Sequence, residues 1–147
     1  MKKFFCFLIG ILVFISCQTK TAENQNTEPK EALEMYEPSE MAMLMEQMYA
    51  HNLQLQQLIK NKEDLGDFPT DFNKIFIAGF TDASDNDIFF QDNAKIYIEL
   101  QKDIYQSENP AKAFNKMVDA CIRCHQVKCS GPITRIKKLY ISPNVQP

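Results

Sequence analysis

Cys121-Ile122-Arg123-Cys124-His125 places two thiols three residues apart, with an imidazole directly after the second. This C-x-x-C-H spacing is the pattern of c-type haem attachment. The spacing has a physical reason: on a helix, residues three and four apart share a face, so Cys121, Cys124 and His125 point the same way. Both thiols can then add to the two vinyl groups of one haem while the imidazole reaches the iron from beneath. Three other readings compete. A Cys121–Cys124 redox disulfide resembles a thioredoxin-type motif, but that needs a strand-to-helix setting, and the pattern predicts none. A zinc site from Cys121, Cys124, His125 and Cys129 has four donors, all within nine residues and with no second pair elsewhere. Purely structural thiols fit an exported chain poorly, because exported thiols tend to oxidise. A single covalent haem c is the expectation that fits best.

Export is itself read from the first residues. Lys2-Lys3 precedes an apolar run from Phe4 to Ile15, followed by Ser16-Cys17. The run matches a secretory signal peptide and falls short of the roughly 20 apolar residues needed to cross a bilayer. Of the five cysteines, Cys6 would leave with residues 1–16, and Cys121, Cys124 and Cys129 would stay in the folded part. Residues 17–38, rich in Glu, Thr, Asn and Gln, bury too little apolar surface to offset their ordering entropy and read as a flexible tether.

The elements that must position the motif are all helical. Ser39 is the expected cap of a first helix whose stripe runs through Met41, Leu44, Met45, Met48, Leu55, Leu58 and Ile59. Gly66 and Pro69 break it. A second helix is predicted from Thr70 or Asp71, carrying Phe72, Ile75, Phe76 and Phe80. Asp82, Ser84 and Asp85 are the candidate caps of a third, which presents Ile88, Phe89, Ala94, Tyr97, Ile98 and Ile104. Asn109-Pro110 starts a fourth, a cap followed by Pro at the first helical position, carrying Phe114, Met117, Val118 and the motif to a stop near Gly131-Pro132. The pattern predicts an all-α domain over 39–147, most economically a four-helix bundle.

Composition limits what such a domain does. The chain has 147 residues, enough for one core, with net charge −3; a chain starting at Cys17 loses two lysines and no acid, which leaves −5. Nucleic acid is an unsuitable partner for that balance. No nucleophile–base pair, phosphate loop or carboxylate pair is recognisable, so no substrate-converting enzyme is expected.

Two resemblances carry the reading further. F-I-S-C, residues 14–17, resembles the lipobox of bacterial lipoproteins, which implies a lipidated Cys17 and a membrane anchor. Gln18 in place of the Asp that marks inner-membrane retention favours the outer membrane. A bundle with C-x-x-C-H in its last helix resembles the class II c-type cytochromes, the cytochrome c′ type and its low-spin relatives. Phe114 to His125 is similar to that family's final helix and Ser39 to Leu53 to its first, so the likeness spans roughly 39–129. It implies thioether sites at Cys121 and Cys124, His125 as proximal iron ligand and Met48 as the distal one, with Met45, one turn earlier, and His51 as alternatives. Met/His ligation implies one-electron transfer in the cell envelope, with a redox protein as partner. The alternatives are a gas-binding (NO/CO) haem protein and a zinc- or disulfide-stabilised interaction module.

The chain departs from the family in Cys129 and in the tail 130–141. Cys129 is expected to be a buried structural thiol; intermolecular pairing, and with it a homodimer, is the alternative. Arg123, Arg135, Lys137 and Lys138 form a basic group around the motif that suits haem propionates, an acidic redox partner or plain helix-end solvation.

Overall fold

A computed structural model describes residues 37–142. The predicted signal segment, Cys17 and the tether up to residue 36 lie outside the described residues. The described residues are all helical, with no strand: α1 (Glu40–Asn61), α2 (Ile88–Ile104), α3 (Pro110–Lys128) and the short α4 (Ile133–Ile136), with 3-10 segments at Thr70–Phe76, Ala83–Asp85 and Lys137–Leu139. None of these helices is long and apolar enough to cross a membrane.

Each long helix starts on a side-chain cap. Ser39 Oγ accepts from Ala42 N at 3.2 Å and Asn109 Oδ1 accepts from Lys112 N at 3.0 Å, both at the expected positions. The cap of α2 is Asp87, whose carboxylate accepts from Phe90 N at 2.9 Å, rather than any of the three residues expected. Asp82 instead caps the 3-10 turn Ala83–Asp85, and Ile88, counted on the apolar face, is 81% exposed as the first residue of α2. α1 closes on Lys62 in the left-handed region (φ 58°), whose N–H bonds back to Ile59 O at 3.2 Å.

The predicted second helix is a 3-10 segment. Pro69 occupies its cap position and supplies no side-chain bond, and only seven residues are helical before Ile77 leaves the conformation. Over so short a span the tighter coil still buries two side chains, Phe72 and Ile75, because positions three apart eclipse. Its neighbour Gly79 secures the start of α1: Met41 N donates to Gly79 O, and Gly79 N donates to Glu40 Oε2, each at 2.9 Å.

α2 and α3 are joined by residues 105–109 and form the most extensive pairing in the fold. Phe114, Met117 and Val118 of α3 are fully buried, facing Ala94, Tyr97 and Ile98 of α2 and Leu44, Met48 and Leu55 of α1 within one core. Full burial of such side chains contributes about 1.5–3 kcal/mol each. The tail beyond α3 joins this core through Ile136, Leu139 and Ile141, all buried. Residues 132–141 thus form a strap across one side of the helical core. It is held by Gln56 Nε2, which donates to Leu139 O at 2.7 Å, and by a reciprocal pair between Asn115 and Ile141 at 2.8 and 2.9 Å.

Candidate functional site

Five of the six residues considered for holding haem and its iron line one pocket. Met45 and Met48 come from α1, and Cys121, Cys124 and His125 from α3. The empty space, counting the mouth open to solvent, is about 740 Å³. α2 adds Phe90, Ala94 and Tyr97, the 3-10 segment adds Ile75, and the strap adds Pro132, Arg135, Ile136 and Leu139.

α3 arranges the motif as the helical spacing predicts. Cys121 and Cys124 are half-buried free thiols, and no disulfide joins them. Burial pushes the Cys121 thiol up to about 12, and the neighbouring Cys124 adds to the shift. Burial, then the nearby Cys129, also raises Cys124, opposed by Lys128 and Arg123. Both thiols are therefore protonated at neutral pH.

His125 stands at the end of α3 with its ring held. Nδ1 lies 3.0 Å from the carbonyl oxygen of Cys129 and 3.1 Å from its Sγ. Donation from Nδ1–H to the carbonyl selects the tautomer whose Nε2 carries the free lone pair, the arrangement a metal-ligating histidine uses. Burial lowers the His125 pKa, partly offset by that carbonyl, so the ring is neutral at pH 7.

Cys129 corrects the expectation of a buried thiol. It is exposed, because α3 ends at Lys128 and the chain turns outward there in an extended conformation; its backbone carbonyl is what serves His125. Among the described residues no group of three or more His, Cys, Asp or Glu side chains is close enough to hold a metal ion, so the four donors considered for zinc do not converge.

On the opposite side, Met48 is 5% exposed and Met45 half-buried, and both reach the pocket. His51 does not line it. Its Nε2 pairs with the Tyr105 hydroxyl at 2.9 Å, and its ring meets Phe72 edge-on at 5.2 Å.

The strap's contribution was not legible from pattern. Arg135 makes a two-pronged pair with Glu46 at 2.8 and 2.9 Å and lies 4.2 Å over the Tyr49 ring, which bridges the strap to α1 at the pocket's edge. Arg123 donates to Asn93 Oδ1 at 3.2 Å. Of the basic group around the motif, Arg123, Lys137 and Lys138 make no salt bridge among the described residues. Four buried amides, Asn52, Gln56, Asn93 and Gln101, carry no signal in the pattern either, since polar residues on a helix are expected to face water. Comparison with family models, curated proteins and solved structures finds no match for this chain.

Proposed function

We propose that this chain is a membrane-tethered, monohaem c-type cytochrome that carries one electron at a time in the cell envelope. One observation supports the reading above all others: two thiols, an imidazole and two thioethers from helices far apart in sequence line a single, mostly apolar pocket. Bound there, haem c would supply exchange of one electron at its iron. Cys121 and Cys124 would hold it covalently through their sulfurs. His125 offers Nε2 while the Cys129 carbonyl steadies the ring through Nδ1. Met48 offers a soft, neutral sulfur that favours the reduced state. Phe90, Ala94 and Leu139 keep water from the pocket.

The finer architecture in this reading is a four-helix bundle in which α1, α2 and α3 are three members and the segment Thr70–Phe76 stands at the second position. Lipidation at Cys17 tethers the domain, outer membrane favoured, and a redox protein is its partner.

The test is an absorption spectrum of protein made together with haem-attachment machinery, taken before and after denaturation and solvent extraction. Colour that stays with the chain, and a low-spin spectrum that turns high-spin in Met48→Ala but not in Met45→Ala, is the expected outcome. The reverse pattern makes Met45 the ligand. A high-spin wild type that binds carbon monoxide replaces electron transfer with gas binding, and zinc in place of iron removes the haem reading.

A further inference from the structure

The cytochrome reading leaves a buried polar chain beside the pocket unused. Asn52 is 2% exposed, Gln101 is fully buried and Tyr97 is 6% exposed; Asn52 and Tyr97 line the pocket from α1 and α2. Gln101 Nε2 donates to Asn52 Oδ1 at 3.1 Å and more weakly to the Tyr105 hydroxyl at 3.5 Å. Asn52 Nδ2 donates to the Tyr97 hydroxyl at 3.4 Å and stands 4.0 Å from Met117 Sδ. Gln101 Oε1 has no partner.

The direction of this chain follows from counting donors. As arranged, one buried carbonyl oxygen is unpaired. With both amides turned over, Gln101 would instead leave an NH₂ group, two donors, unpaired. Orphaned N–H groups are the rarer defect, so the chain holds Asn52 with its N–H end away from Gln101 and toward Tyr97. The Tyr97 hydroxyl accepts from Asn52, and its own hydrogen has no other partner among the described residues. Burial keeps that hydroxyl neutral and able to donate. Every step from Gln101 therefore runs donor-first toward the pocket.

We propose that the Tyr97 hydroxyl, whose own hydrogen Asn52 leaves free, is a donor on the pocket wall that favours the electron-rich state of the group held at Cys121, Cys124 and His125, with Asn52 and, behind it, Gln101 as its positioning residues. The inference rests on the cytochrome reading. Fixed donors aimed at a site that gains negative charge stabilise that state without reorganising, and do so more strongly where water is excluded. The step they influence is transfer of one electron from a redox protein; no bond is made or broken and no proton moves.

Reduction potentials of the covalently loaded protein, read by spectroelectrochemistry, test this. Asn52→Leu and Tyr97→Phe should each shift the couple about fivefold to tenfold toward the oxidised form; tenfold is about 59 mV for one electron. Gln101→Met should shift it less and in the same direction, because Asn52 is then no longer oriented. Asn73→Leu, on an exposed side chain bonded only to Thr70 O, should leave it unchanged. The direction is diagnostic, since simply making the pocket more apolar disfavours the charged oxidised state and raises the potential. Potentials unchanged or raised in both wall variants, with the haem spectrum intact, overturn the inference alone. If Asn52→Leu does not fold, Tyr97→Phe removes a single oxygen and decides the matter. A wild-type chain that takes up no covalent haem overturns the cytochrome reading and this inference together.

Discussion

The α3 wall of the pocket and the wall opposite it are built in different ways. Cys121, Cys124 and His125 share one helical face, so their alignment is a property of five consecutive residues and of the cap at Asn109. The opposite wall is assembled from α1, α2 and the strap, through contacts such as Glu46–Arg135 and Gln56–Leu139 between residues 89 and 83 apart. The first wall needs only a helix; the second needs the whole fold. Damage to either should therefore be told apart by what is lost: helix in one case, closure in the other.

The largest effect is expected on the assembled wall. Leu139→Ala removes a side chain 2% exposed that belongs to both strap and pocket, at a cost of about 2–5 kcal/mol. Denaturant unfolding should report the loss, while far-ultraviolet circular dichroism of the folded variant retains the signal of α1, α2 and α3. An equal loss of helix would mean that the strap supports the helices rather than closing the pocket.

A smaller effect is expected on the local wall. Asn109→Ala deletes the bond to Lys112 N at the start of α3 and should cost about 1 kcal/mol by the same measurement. Hydrogen exchange should quicken at the first turn of α3 and leave Cys121 to His125 as protected as before. Faster exchange throughout the helix would show that the motif depends on its distant cap.

The smallest effect concerns the back of the assembled wall. Burial depresses the His51 pKa below its ordinary 6.5, so in the folded state the ring stays neutral while the unfolded chain takes up a proton. Stability should thus be full above pH 6.5 and decline as pH falls from there toward the folded pKa. His51→Gln should flatten that decline. His125 shifts in the same direction, so the difference between wild type and variant isolates His51. Parallel curves would mean that His51 is solvated rather than held by Tyr105.

Legibility divides along the same line. Caps at Ser39 and Asn109, the span of α3 and the shared face of its motif are local, and the pattern of residues states them. The pattern does not single out Asp87 as a cap, because Asp82, Ser84 and Asp85 offer the same chemistry two to five residues earlier. Phe72, Ile75 and Phe76 have helical spacing, yet tertiary packing settles them in a 3-10 coil of seven residues. Ile136, Leu139 and Ile141 lie in a tail with basic residues between them, and nothing local says that three of its side chains enter the core. Met45 and Met48 remain paired candidates because one helical turn carries both to the pocket.

The strap also has a meaning in time. Contacts between α2 and α3 close a short loop, whereas seating Leu139 on Gln56 closes one of 83 residues. Closing a longer loop costs more entropy, and long-range contacts delay folding. A chain that folds in this order completes α3, with Cys121 and Cys124 presented side by side, before Ile136 and Leu139 come down over them. In the interval between the two events Cys121 and Cys124 lie uncovered on α3, and its length depends on long-range contacts such as Gln56–Leu139 and Glu46–Arg135.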